Sequence, residues 1–251
     1  MGQSANWYEV NYTTDPIEHR PDLVMLAEDQ ARWIIDLLQL KPGDNLLDLC
    51  GGKGRLAIPL ARRGLNVTVL DLSEALLESG RAIAKSQGLN NIEWLRANML
   101  DIPRAGYDAI INVFTSFGYF DEESANDSVL GAVRAALRKR GRFLIDLTNR
   151  DMRALNQRPR TWKKMGDVTI LEEHSFDLSR SRWLVTRETI STQQGITDRE
   201  VHTYNIRVYS PHEIRQKLEA AGMKVIAQYG RISGIPLTPH SWRHVTIAEA
   251  S

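Results

Sequence analysis

Between residues 45 and 147 the chain alternates short, almost wholly apolar runs with longer stretches whose apolar positions recur every three or four residues. The short runs predict strands over 45–49, 66–71, 91–97, 107–113 and 141–147. The longer ones predict helices over 54–63, 73–87 and 122–138, the last with Val129, Val133 and Leu137 on one stripe. Pro59 falls near the start of the first of these helices, where it predicts a slight distortion. Upstream, residues 21–39 suit an amphipathic helix opened by Pro21, with Leu23, Leu26, Ile34 and Leu38 among its apolar positions, before Lys41-Pro-Gly-Asp44 turns toward the first strand. Strand and helix in alternation predict an α/β fold built on a parallel sheet.

After Asp151 the pattern changes. Polar and apolar residues alternate over 160–165, 168–177, 182–192 and 197–209, as in Thr203-Tyr-Asn-Ile-Arg-Val-Tyr209, which predicts antiparallel strands. Ser210-Pro-His-Glu213 has the form of a capping box with proline at the first helical position, opening a helix that carries Ile214 and Leu218 and ends at Gly222. Strands over 223–230 and 243–249 then return to the main sheet. We read a single domain over 1–251, with residues 1–40 as an N-terminal helical lid and 151–209 as an antiparallel β insertion serving as substrate cover, subunit interface or both, weighed equally against a structural sheet that only thickens the domain.

The candidate chemistry sits at the end of the first strand, in Asn45-Leu-Leu-Asp-Leu-Cys-Gly-Gly-Lys-Gly-Arg55. Gly51, Gly52 and Gly54 let the backbone take positive φ and a ligand approach the main chain. Asp48 chooses between ligands: a dinucleotide would place its anionic pyrophosphate at this turn, against the carboxylate, whereas S-adenosylmethionine brings a cationic ammonium and sulfonium. Asp71, at the end of Val67-Thr-Val-Leu-Asp71, has the position of a ribose acceptor for either ligand. Gly52-Lys-Gly-Arg-Leu-Ala57 fits a dinucleotide fingerprint, but Asp48 argues against that reading.

Composition narrows the classes. At 251 residues and 42% hydrophobic, the chain can bury a sizeable core; 32 basic against 31 acidic residues leave no global field to draw nucleic acid or a membrane surface. Cys50 is the only cysteine, which rules out an internal disulfide, and the first residues lack a signal pattern. We expect a cytoplasmic protein without membrane or nucleic-acid partners, with a homo-oligomer open. No Cys/His cluster or paired acidic motif has metal spacing, and none of the six histidines has a neighbour that marks it as a general base, so metal is expected to be absent and the catalytic residue is unassigned.

Taken together, Leu-Leu-Asp48-Leu-Cys-Gly-Gly-Lys-Gly-Arg, Val-Leu-Asp71-Leu-Ser, Asn98-Met and Phe-Thr-Ser-Phe-Gly-Tyr-Phe120 resemble a class I S-adenosylmethionine-dependent methyltransferase of the bacterial small-molecule kind. The resemblance implies a Rossmann-like seven-stranded sheet with helices on both faces and an antiparallel seventh strand, here with the inserted β layer. It implies that Asp48, Cys50, Gly51, Gly52 and Gly54 hold the methionine part of the cofactor and Asp71 the ribose. Leu72 and Met99 would meet the adenine faces, Asn98 its edge, and Val113 the sulfonium-bearing chain. The family usually has glycine where Cys50 stands and aspartate where Asn98 stands. On the acceptor side the resemblance points to Ser116, Phe117 and Tyr119, each balanced against ordinary packing, while Phe114 and Phe120 are expected in the core. Trp7, Tyr8 and Tyr12 are candidates for a lid over the cofactor, with Tyr8 and Tyr12 touching substrate, each balanced against rings that only staple the terminus to the domain. The expected activity is methyl transfer to a nitrogen or oxygen of a small molecule, with nitrogen favoured because no base or metal is evident. Protein or RNA methylation and a non-catalytic S-adenosylmethionine-binding scaffold are the alternatives.

Overall fold

A computed structural model describes residues 21–193 and 196–251. Trp7, Tyr8, Tyr12 and residues 1–20 of the expected lid lie outside the described residues. Strands β1 (Asn45–Leu49), β2 (Asn66–Asp71), β3 (Ile92–Arg96), β4 (Tyr107–Asn112), β5 (Leu137–Thr148), β10 (Met223–Tyr229) and β11 (Arg243–Ala250) form one seven-stranded sheet in the order β10-β11-β5-β4-β1-β2-β3. The first five run parallel; β11 is antiparallel to both β5 and β10. A separate four-stranded antiparallel sheet, β6 (Arg160–Met165), β7 (Val168–Asp177), β8 (Arg182–Gln193) and β9 (Ile196–Arg207), lies within the stretch read as an insertion.

Successive side chains on the central strands go to opposite faces, so each strand feeds two cores. Leu47 and Ile110 join the core under α5 (Glu123–Ala136) and α7 (Pro211–Ala220), with Val129, Val133, Ile214 and Leu218. Leu46 and Ile111 join the other, under α2 (Ala27–Leu38), α3 (Ala57–Arg62) and α4 (Glu74–Ser86), with Ile34, Leu60 and Leu77. Burial on both faces is why these strands read as continuous apolar runs rather than as alternation.

Helix ends follow local chemistry. Ser73 caps α4 by accepting from Leu76 N–H, and Ser210 and Glu213 form the capping box of α7 in both directions. Two expectations are corrected. The helix expected over 54–63 begins only at Ala57, after a turn in which Gly54 has φ +73°. Pro59 lies in the first turn of α3 between Ile58 and Leu60, whose N–H groups donate to Gly54 O at 2.9 Å and Leu56 O at 3.1 Å, so its missing N–H leaves a gap in that run of bonds. The helix expected over 21–39 is divided into α1 (Pro21–Met25) and α2 at Leu26. Among the described residues no helix is long and apolar enough to cross a membrane.

Candidate functional site

The carboxyl ends of β1, β2 and β4 open into one cavity of about 1070 Å³, whose other side is the inserted sheet. Asp48, Cys50, Gly51, Gly52, Asp71, Leu72, Asn98, Met99, Val113, Ser116 and Tyr119, all singled out from sequence, line it together. Gly54 and Phe117 do not. A Cβ at Gly54 would come within 2.6 Å of Trp94, so this glycine permits close packing behind the turn. Phe117 is 1% exposed and packs on Tyr209 at 5.3 Å between ring centroids, so of the two readings weighed for it core packing holds. Phe114, expected in the core, instead lines the cavity, while Phe120 both packs against the core and lines the cavity.

On the donor side, the chain turns sharply after β1 and is tied back to β2 by Cys50 and Gly51 N–H groups, which donate to Leu70 O at 2.7 and 3.2 Å. Cys50 has φ +63°, a conformation that glycine adopts without strain and that explains the preference for glycine there. Asp48 is 2% exposed. Ala57 N–H donates to its carboxylate, yet Oδ1 has no hydrogen-bond partner among the described residues. Burial pushes its carboxyl up to about 7, with the Arg55 charge opposing and Asp71 adding to the rise. A buried acceptor left without a donor suits a cationic group brought by a ligand.

Asp71 accepts from Gly52 N–H at 2.9 Å through Oδ2 and from Ser73 N–H at 3.0 Å through Oδ1. Burial raises its carboxyl despite these amide donors, and each oxygen retains a second lone pair toward the crevice. Asn98 Oδ1 accepts from Leu100 N–H at 3.0 Å, which fixes the side chain in a local turn, and Met99 is buried against Cys50, Sδ to Sγ 3.8 Å.

The segment after β4 carries two consecutive non-glycine residues in the left-handed region, Phe114 at φ +63° and Thr115 at φ +66°. Such conformations cost of order 1–3 kcal/mol each and persist only where surrounding bonds enforce them. Here Asp146 does so: its Oδ2 accepts from Phe114 N–H at 3.2 Å and its backbone oxygen from Thr115 N–H at 3.0 Å. Arg243 grips the same carboxylate, Nε to Oδ1 at 2.8 Å and Nη2 to Oδ2 at 2.9 Å. This ion pair bridges β5 and β11 and turns Phe114 and Ser116 toward the cavity. No local sequence signal marks Asp146 and Arg243, whose roles depend on distant pairing.

The inserted sheet supplies the far wall. Cross-strand register sets Thr161, Glu172 and Arg187 in one row and His174, Val185 and Tyr204 in the next. Burial alone would raise the Glu172 carboxyl, but His174 and the Arg187 guanidinium, whose Nε donates at 2.8 Å, outweigh it and hold it at about 2. Arg153, from α6 (Arg150–Leu155), lies over Trp183 with Cζ 3.8 Å from the ring centroid. Among the described residues no group of three or more His, Cys, Asp or Glu is placed to hold a metal ion.

Residues 46–141 match a methyltransferase domain family. A 23S rRNA (uracil(1939)-C(5))-methyltransferase of Alkalilimnicola ehrlichii is 37% identical over 108 residues, covering 36% of this chain and 24% of the relative. A 2-phytyl-1,4-naphtoquinone methyltransferase of Nostoc sp. is 49% identical over 67 residues, covering 25% of this chain and 29% of the relative. The chain thus matches between 24% and 29% of these relatives' lengths. In fold, an S-adenosylmethionine-dependent methyltransferase from Clostridium acetobutylicum superposes with a TM-score of 0.79 at 18% identity, over 89% of this chain and 90% of that one.

Proposed function

We propose that this chain is a class I S-adenosylmethionine-dependent methyltransferase that transfers a methyl group to a nitrogen or oxygen of a small molecule, a reading supported by the methyltransferase domain match over residues 46–141 and by the fold. The observation that carries the acceptor class is the cavity: donor crevice and acceptor chamber are one continuous space, and the inserted sheet walls the acceptor side. A walled chamber excludes water and fixes a small nucleophile, which is most of what an in-line displacement needs from a protein.

S-adenosylmethionine supplies an electrophilic methyl on a sulfonium centre. Within this reading Asp48 takes the ammonium, Asp71 the ribose hydroxyls, and Leu72 and Met99 flank the adenine, with Asn98 at its edge. Val113 and the turn at Phe114–Ser116 border the transfer point, and Tyr119 and Phe120 contribute to the acceptor side. Among the described residues of the chamber, Glu172 and His174 are engaged with each other and with Arg187 and Thr161, an arrangement that suits an amine that reacts in its neutral form and sheds a proton afterwards.

RNA methylation is the second reading, favoured by the rRNA-modifying relative. Against it stand a net formal charge of only +1 and the sheet over the chamber, which leaves a flipped base less room than an open face would. A screen of candidate acceptors followed by S-adenosylhomocysteine release and product mass separates the readings. Small-molecule products support the proposal, and turnover only on ribosomal RNA rejects it.

Asp71→Ala is expected to weaken S-adenosylhomocysteine binding by on the order of 1.5–3 kcal/mol, since the ribose would lose a charged acceptor. Titration calorimetry measures this directly. An unchanged affinity would remove Asp71 from the cofactor site.

A further inference from the structure

The cations lining the chamber wall are not equivalent. Arg187 is matched by Glu172, Nη2 to Oε1 at 2.8 Å, and Arg243 by Asp146. Arg153 has no ion pair and no side-chain hydrogen bond to any described residue; its Nε is buried without an acceptor. The indole beneath it is in the same condition, for Trp183 Nε1 is also buried without a partner. Trp242 borders the guanidinium from further off, at 5.9 Å. The face of the indole attracts the guanidinium but supplies no hydrogen-bond acceptor for its donors. Burial pulls the Arg153 guanidinium down from its ordinary value, with Glu172 opposing and Arg243 adding to the fall, yet a guanidinium remains protonated at neutral pH. A guanidinium partly withdrawn from water, with its Nε buried and no ion pair to any described residue, is poised for an anion that arrives with a ligand.

Resting on the reading of the chain as a small-molecule methyltransferase, we propose that its acceptor is a monocarboxylate whose carboxylate docks on Arg153 over the Trp183 ring. The charges around Arg153 favour a carboxylate over a phosphate ester: Glu172 already acts on the guanidinium, and the charge of about 1.5 to 2 that a phosphate ester brings would crowd that carboxylate more than a single negative charge does. A planar carboxylate also accepts two parallel bonds from the guanidinium edge. Ion pairing lowers the nucleophilicity of those oxygens, so the carboxylate is the handle and the methylated nitrogen or hydroxyl lies elsewhere on the molecule.

The test uses benzoate, benzamide and phenyl phosphate as probes, titrated into the whole protein with and without S-adenosylhomocysteine and followed by calorimetry and tryptophan fluorescence. Benzoate is expected to bind saturably and at least about tenfold more tightly than benzamide. Arg153→Met keeps an unbranched side chain over Trp183 without the charge and should abolish that preference; Arg153→Lys should restore part of it. S-adenosylhomocysteine affinity should be the same in both variants as in the parent. Equal binding of benzoate and benzamide, no saturable benzoate binding, or an unchanged preference in Arg153→Met overturns the proposal. Tighter binding of phenyl phosphate than of benzoate overturns the choice of carboxylate. Should Arg153→Met not fold, the acid–amide comparison in the parent protein decides. Failure to bind S-adenosylhomocysteine would count against the methyltransferase reading alone, because the benzoate titration is also read without it.

Discussion

Asp48→Asn is expected to make the cofactor-free protein more stable and to weaken S-adenosylmethionine binding at the same time. Asparagine is isosteric, can still accept from Ala57 N–H, and removes a buried carboxylate whose Oδ1 has no partner. With the Asp48 carboxyl raised from 3.8 to about 7, the folded chain holds a proton that the unfolded chain has already released between those values. The contribution of Asp48 to stability is therefore fully present below pH 3.8 and falls as pH rises through about 7. Above that range the penalty is on the order of 4 kcal/mol, and the variant escapes it. Ligand binding should run the other way. Only the ionised carboxylate attracts the ammonium, so the parent's affinity should fall as pH drops below about 7, while the variant should bind weakly at every pH, by on the order of tenfold to a hundredfold. Thermal unfolding with and without S-adenosylhomocysteine across pH 5–9 measures both effects. A variant that binds the ligand as tightly as its parent would take the ammonium away from Asp48.

Gly118→Ala should be among the most damaging single substitutions outside the cores. Gly118 joins the segment after β4 to the end of β9: its carbonyl accepts from Arg207 N–H at 2.8 Å. A Cβ there would lie 2.0 Å from Arg207 O, an atom that cannot swing aside, and φ is +94°. The alanine variant must either strain the turn or separate the inserted sheet from the acceptor loop, at a cost of about 3 kcal/mol or more. Gly88→Ala is the control, with a similar positive φ of +71° but nothing within 4 Å of the added atom; it should cost about 1–2 kcal/mol. Denaturation midpoints rank the two. Equal losses would mean that the close approach to Arg207 relaxes freely. In the folded fraction of Gly118→Ala, S-adenosylhomocysteine should still bind, because the donor crevice is built from other loops.

The frame was readable because its signals are local. β1 and β2 have the bounds of their apolar runs, Ser73 and Ser210 cap the helices they precede, and the alternation after Asp151 corresponds to β6 through β9. The glycine turn and Asp71 were readable for the same reason. The acceptor side was readable only in part: Ser116 and Tyr119 line the cavity, but which way the neighbouring rings turn was not legible. Phe114 reaches the cavity only because Asp146, 32 residues away, holds its N–H, and Asp146 is held in turn by Arg243, 97 residues further on. Phe117 is turned the other way by Tyr209, which follows the whole inserted sheet. The pairing of Glu172 with Arg187 depends on strand register, which periodicity alone does not fix.

The two sheets also differ in how far the chain must search to build them. Every pairing in the four-stranded sheet joins sequence neighbours, β6 to β7, β7 to β8 and β8 to β9, so it can zip from its hairpin turns. In the seven-stranded sheet β11 lies between β10 and β5, and its contact with β5 closes a loop spanning the entire inserted layer. The chamber wall can therefore assemble quickly from local contacts, whereas the Asp146–Arg243 clasp that sets the acceptor turn forms only on that slowest closure. A chain caught before β11 docks leaves an edge of β5 unpaired, with Leu144 and Ile145 lacking their neighbours Ile247 and Thr246, a template for joining the same edge of another nascent copy. Aggregation during synthesis, rather than unfolding of the finished protein, is the hazard that this strand order creates.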